Sequence, residues 1–176
     1  MDSAAGRTGV SRQIMLVTLL PDERSIAVLP RWPYSSISVS QEILDRLLAC
    51  NVALETHGIA IVITRGFEEH GGIRRIMRFI GKCIFLVIYF RRRNSIGCLF
   101  GPNGHDVPGA CADLAIRVLG RQIILLPLGV FTPLWVLNMR LKKYADVLIQ
   151  VHSCLKKQGF VLHDDPIEAA QIHCLT

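Results

Sequence analysis

No CxxC pair occurs among the six cysteines, at positions 50, 83, 98, 111, 154 and 174. Residues 1–13 hold Gly, Ser, Arg and Thr without an apolar secretory core. Together these absences argue against a disulfide framework and lead to the expectation of a reduced, cytoplasmic protein whose thiols are mostly buried. Neither an internal repeat nor a linker-like stretch divides the chain, so one domain is expected over residues 14–176, behind a loosely held N-terminus at 1–13. The basic residues lack an aromatic ladder or recognition motif beside them, and nucleic acid is not expected as a partner. The uncharged run from Ile123 to Met139 falls at the low edge of the roughly 17–25 residues that cross a bilayer. Pro127, Gly129 and Pro133 interrupt it, and Thr132-Pro133 is a good helix start. The run divides into a buried strand, a turn and the beginning of a helix, so no transmembrane segment is expected.

What is present is globular in character. The chain has 176 residues, 51% hydrophobic and 19% charged, enough for a real core. Its net charge is +6, and its densest basic run, Arg91-Arg92-Arg93 before Asn94-Ser95, reads as a solvated turn. "QIMLVTLL" and "SIAVL" flank Pro21-Asp22-Glu23-Arg24 and predict a hairpin. Pro30 to Pro33 breaks regular structure. "SVSQEILDRLLACNVALETHG" predicts a helix, with Ser38 and Gln41 in capping-box spacing and Gly58 as a left-handed cap.

"IAIVIT" at 59–64 predicts a buried strand, "RGFEEHGG" a loop, Ile73–Ile80 a short helix and "CIFLVIYF" a second buried strand. Residues 111–119 alternate, with Ala112, Leu114, Ile116 and Val118 toward the core and Cys111 and Asp113 on the opposite face. Gly120-Arg121 turns into "QIILL" and predicts a hairpin. A helix from Pro133 to about Lys157, ended by Gly159, and two short extended pieces, "FVL" and "QIHCL", complete the chain. The expected fold is α+β, with a mostly antiparallel central sheet and helices packed on one side. Its apolar bias would accommodate a homodimer.

The stretch richest in chemistry is "NGHDVPGACADLAIRV" at 103–118. A turn followed by a strand can bring His105 and Asp113 to one side of a sheet. Imidazole and carboxylate together suit zinc, but a catalytic zinc needs a third protein ligand. His57, His70, His152, His163 and His173 are available, and Cys111 shares a strand face with Asp113, as a soft ligand or as a small buried filler. Arg65 and Arg117 offer bidentate pairing with a substrate carboxylate. Glu68-Glu69-His70 reads as a solvated loop and Asp164-Asp165-Pro166 as turn chemistry.

The segment "GHDVPGACADLAI" resembles the signature S-x-H-x-x-G-x-A-x-D of the zinc D-alanyl-D-alanine peptidases, a superfamily that includes the Hedgehog signalling domain. The order of events is similar too. "LLACNVALETHGIAIVITRGFEEH" occupies the place of an early helix and a strand ending in a Gly-Tyr-Arg-like motif, and "LKKQGFVLHDDPIEAAQIHC" that of the closing acid-x-x-His. The resemblance implies one zinc ion held by His105, Asp113 and His173, and hydrolysis of a small peptide or peptide-like amide in the manner of a carboxypeptidase or dipeptidase. One residue is inserted before Gly109. Glu68 stands where the family has its transition-state arginine, and Arg65 is close by on the other side of the glycine. Arg65 is the catalytic candidate, with Arg117 and Glu68 as candidates for substrate binding and Arg65 or Arg117 gripping a terminal carboxylate. Ala170 stands where the family has its general base, and Glu168 is the acid assigned to that role. These departures leave two alternatives open: a lyase, isomerase or cyclase on the same scaffold, or a non-catalytic ligand-binding module.

Overall fold

The computed structural model describes residues 14–21, 26–31, 34–68, 72–88, 105, 107–123, 134–162 and 172–175. Its first half contains β1 (Leu16–Leu19), β2 (Ala27–Val28), β3 (Ile37–Ser40), α1 (Gln41–Glu55), β4 (Ile59–Arg65) and α2 (Gly72–Ile88). Its second half contains β5 (Cys111–Val118), β6 (Arg121–Ile123), α3 (Leu134–Lys143), α4 (Ala145–Lys157), β7 (Val161–Leu162) and β8 (His173–Leu175). The fold is α+β.

The alternation in β5 organises the main sheet. Ala112, Leu114 and Ile116 point to one face and enter the core with Ile59, Ile61 and Ile63 of β4. The antiparallel register sets Ile61 opposite Ile116 and Ile63 opposite Leu114, so the apolar residues of the two strands meet in cross-strand pairs. Helix α1 lays Ile43, Leu44, Leu47, Cys50 and Leu54 into this core, and α4 adds Leu148, Val151 and Leu155. Each large apolar side chain fully buried in this way contributes roughly 1.5–3 kcal/mol. The strand order is β2-β4-β5-β8-β7, with β6 pairing the far end of β5, and all pairings but β2 with β4 are antiparallel.

Several local expectations are met. β5 and β6 are joined by Leu119-Gly120, with φ of 48° and 75°, the two left-handed residues of a tight primed turn. Leucine is poorly suited to that conformation, and Leu119 is 83% exposed. Leu119→Asn is therefore expected to stabilise the fold by about 0.5–1 kcal/mol, raising Tm by roughly 1–4 °C in a thermal melt. Pro108 and Gly109 occupy the centre of a second turn, closed by the Ala110 amide donating to the Val107 carbonyl at 3.2 Å. Gly109 has φ 72°, the conformation a proline-glycine type II turn requires.

Other expectations are corrected. β1 does not form a hairpin with β2; it pairs antiparallel with β3 in a separate two-stranded sheet, while β2 lies parallel to β4. The register of β1 against β3 sets Val17 opposite Val39 and Leu19 opposite Ile37, an apolar match that outweighs proximity in sequence. The N-cap of α1 is Ser40, whose hydroxyl accepts from the Ile43 amide, and Ser38 instead belongs to β3. Residues 83–88 are the end of helix α2, not a strand. Apolar runs of this length carry no period that separates strand from buried helix. The long C-terminal helix is broken at Tyr144 into α3 and α4. Residues 1–13, the basic run 91–93 and most of the 123–139 run lie outside the described residues. Among the described residues no helix is long and apolar enough to cross a membrane.

Candidate functional site

Because Ala112 and Leu114 face the core, strand period aims Asp113 at the other side of the sheet, where it is only 3% exposed. Four groups converge on it. His105 Nε2 lies 3.3 Å from one carboxylate oxygen, Oδ1. The other oxygen, Oδ2, lies 3.7 Å from Arg31 Nη2 and 3.9 Å from Arg65 Nη1. The Asp113 carbonyl accepts from the Thr64 hydroxyl at 3.1 Å, tying the strand down at this residue.

Arg65 arrives here through an irregularity. Ile59, Ile61 and Ile63 alternate into the core, and unbroken alternation would send the Arg65 guanidinium after them. Between Ile63 and Arg65 the register with β5 slips, so Arg65, rather than Thr64, stands opposite Asp113. A bulge of this kind re-aims a side chain at the end of a strand. Glu68, expected in a solvated loop, is instead buried and accepts along one edge of the guanidinium, Oε1 from Nε at 2.5 Å and Oε2 from Nη2 at 2.9 Å. Burial alone would make Arg65 easier to deprotonate, but the Glu68 hydrogen bonds and charge, with Asp113 and Cys111 adding to them, hold its pKa above the ordinary value. Arg31 is shifted the other way: burial lowers its pKa and the Arg65 charge works in the same direction, with Asp113 and Glu68 opposing both.

His105 is held by backbone. Its Nδ1 lies 2.7 Å from the Gly66 carbonyl, and its own carbonyl accepts from the Glu68 amide at 3.0 Å. A carbonyl oxygen can only accept, so Nδ1 carries the proton, and Nε2 is the ring atom turned toward Asp113. Gly66 makes this possible by lying flat against β3: a Cβ there would sit 2.2 Å from the Ser38 carbonyl oxygen.

The antiparallel pairing of β5 with β8 sets His173 directly opposite Asp113. Residues so paired stand on the same face of a sheet. Two of the expected metal ligands, His105 and Asp113, are thus in contact, and the third occupies the adjoining register position by its backbone. Among the described residues no set of three His, Cys, Asp or Glu side chains is gathered as a metal site. Arg117 is on the same strand as Asp113, four residues along and on the same face, at roughly 13 Å by strand rise. Cys111 is buried on that face two residues before Asp113. Glu168 lies outside the described residues, as do His70 and His163.

Arg31 is the functional candidate that sequence reasoning missed. It follows Pro30 in an irregular stretch, and only the parallel pairing of β2 with β4 carries it to Asp113. No local signal in the sequence announces that pairing. Set against models of known protein families and against curated proteins, the chain matches none.

Proposed function

We propose that the chain is a zinc-dependent hydrolase of an amide in a small peptide or peptide-like substrate, a divergent relative of the D-alanyl-D-alanine peptidases, with His105, Asp113 and His173 holding the metal. The observation that carries this reading is the buried approach of His105 Nε2 to Asp113 Oδ1 at 3.3 Å, with Nδ1 donating to the Gly66 carbonyl. Two ligands on one tetrahedral zinc, each bonded at about 2.0–2.2 Å, stand roughly 3.3–3.6 Å apart. A histidine whose second nitrogen is fixed by a backbone carbonyl is the usual arrangement for a metal ligand. When bound, zinc supplies Lewis-acid polarisation of the scissile carbonyl and makes water a better nucleophile near neutral pH.

The protein's own groups have separate duties. Arg31 and Arg65 balance Glu68 and Asp113 in charge, so a dication added here leaves the site positive and favours a substrate that carries or develops negative charge. Glu68 fixes the fork of Arg65, and Arg65 stabilises the developing oxyanion. Glu168 takes a proton from the attacking water and returns it to the leaving amine. Arg117 holds the far end of an extended substrate.

A metal-free proton-transfer role for the His105/Asp113 couple is less well supported. Nδ1 of His105 is held by the Gly66 carbonyl, Nε2 faces Asp113 and the residue is 1% exposed, so neither ring nitrogen is open to solvent. Assay of the purified chain on D-alanyl-D-alanine and related dipeptides tests the reading. Cleavage is expected to stop on chelation and return with zinc, and Glu168→Gln should lower kcat by about 10²–10⁴. Turnover that persists undiminished in chelator overturns it.

A further inference from the structure

Helix α2, "GIRRIMRFIGKCIFLVI", has an unusual division of residue types. At about 100° per residue, Ile76, Phe79, Ile80, Cys83, Ile84 and Val87 fall within one arc, whereas Arg74, Arg75, Arg78 and Lys82 occupy positions opposite, with Phe85 as the apolar residue among them. The apolar arc faces outward: Ile76 is 60% exposed, Phe79 68% and Val87 78%. Such an arc normally seals a core.

We infer that α2 lies along the surface of an anionic membrane, its apolar arc among the acyl chains and its basic positions at the phosphate level. The charge pattern selects this occupant. The helix carries four cations and no acid, and the sequence continues to Arg91, Arg92 and Arg93. A second copy of α2 would bring no carboxylate to pair with them, whereas anionic headgroups bring one negative charge each. Long basic side chains on an interfacial helix can reach headgroups by extending their flexible stems along it.

At about 1.5 Å per residue the helix is roughly 25 Å long, shorter than the hydrocarbon core of about 30 Å, and its charges also keep it from spanning. It therefore lies in the interface, as strongly amphipathic basic helices do. This inference stands independently of the metal site.

Flotation of the full chain with vesicles tests it. Binding to phosphatidylcholine vesicles containing about one-third phosphatidylglycerol should exceed binding to pure phosphatidylcholine at least about tenfold, and should fall at roughly 0.5 M salt. The double substitution F79E/V87E changes two exposed side chains and should abolish flotation while leaving the circular dichroism spectrum intact. Lys82→Glu should weaken it severalfold, and that variant and the salt dependence decide the matter should the double variant misfold. Equal binding to both vesicle types, or binding indifferent to these substitutions, overturns the inference. So does a chain that ignores vesicles but self-associates until F79E/V87E disperses it.

Discussion

Asp113→Ala is expected to lower the unfolding free energy by about 3 kcal/mol and to abolish any stabilisation by zinc, which the proposed site predicts for the unmodified chain. The carboxylate is buried, with Arg31 and Arg65 at one oxygen and His105 at the other. Removing one member of a buried charge network leaves its partners uncompensated, which costs about 3–5 kcal/mol. The lower end applies because the Arg31 side chain is 38% exposed and can recover some hydration. For a chain of this size the loss corresponds to a drop in Tm of roughly 6–12 °C. Denaturant titration measures the first effect. The second appears in thermal melts with and without zinc, since a metal that binds only the native state raises its stability by mass action. A cost under about 1 kcal/mol, with the zinc response retained, would contradict the placement of Asp113 at the centre of the site.

The second large effect belongs to a residue with no side chain. Gly66→Ala is expected to destabilise by about 3 kcal/mol or more and to weaken zinc affinity 10–100-fold, by different routes. A Cβ at this position would meet the Ser38 carbonyl oxygen at 2.2 Å and Val39 Cγ1 at 2.7 Å. The first obstacle is backbone, already engaged with the Phe67 amide at 2.6 Å, and cannot swing aside as a flexible side chain would. Relief requires the end of β4 to move off β3. That movement takes with it the Gly66 carbonyl, which orients the His105 ring. Equilibrium unfolding and metal titration of the same variant measure both effects, and a variant as stable as the parent would exclude the close approach.

The alternation of 112–118 was enough to identify β5, its face toward the core and the exit of Asp113 on the other side, because strand period leaves one solution when one face must be buried. The Pro108-Gly109 turn and the hairpin at Gly120 were legible for a similar reason, since their conformations admit few residues. Pairing over long distances was not. β1 finds β3 rather than β2 because its apolar residues match Val39 and Ile37, and nothing local to either strand records that preference. The same gap hid Arg31.

Arg65 shows the limit more sharply. Its position in the alternation of β4 points into the core, and only the register slip against β5 returns it to Asp113. The second helix was half-legible, correct at Ile73–Ile80 and wrong beyond Cys83, where an apolar run fits strand and helix equally.

The direct test is the metal content of the chain purified without chelators, measured by elemental analysis beside His105→Ala. Near-stoichiometric zinc in the parent, about one ion per chain, and less than about a tenth of that in the variant are the values expected for a site of three protein ligands. A parent that carries no zinc and takes none up on titration, or a variant that keeps its full complement, would contradict the account.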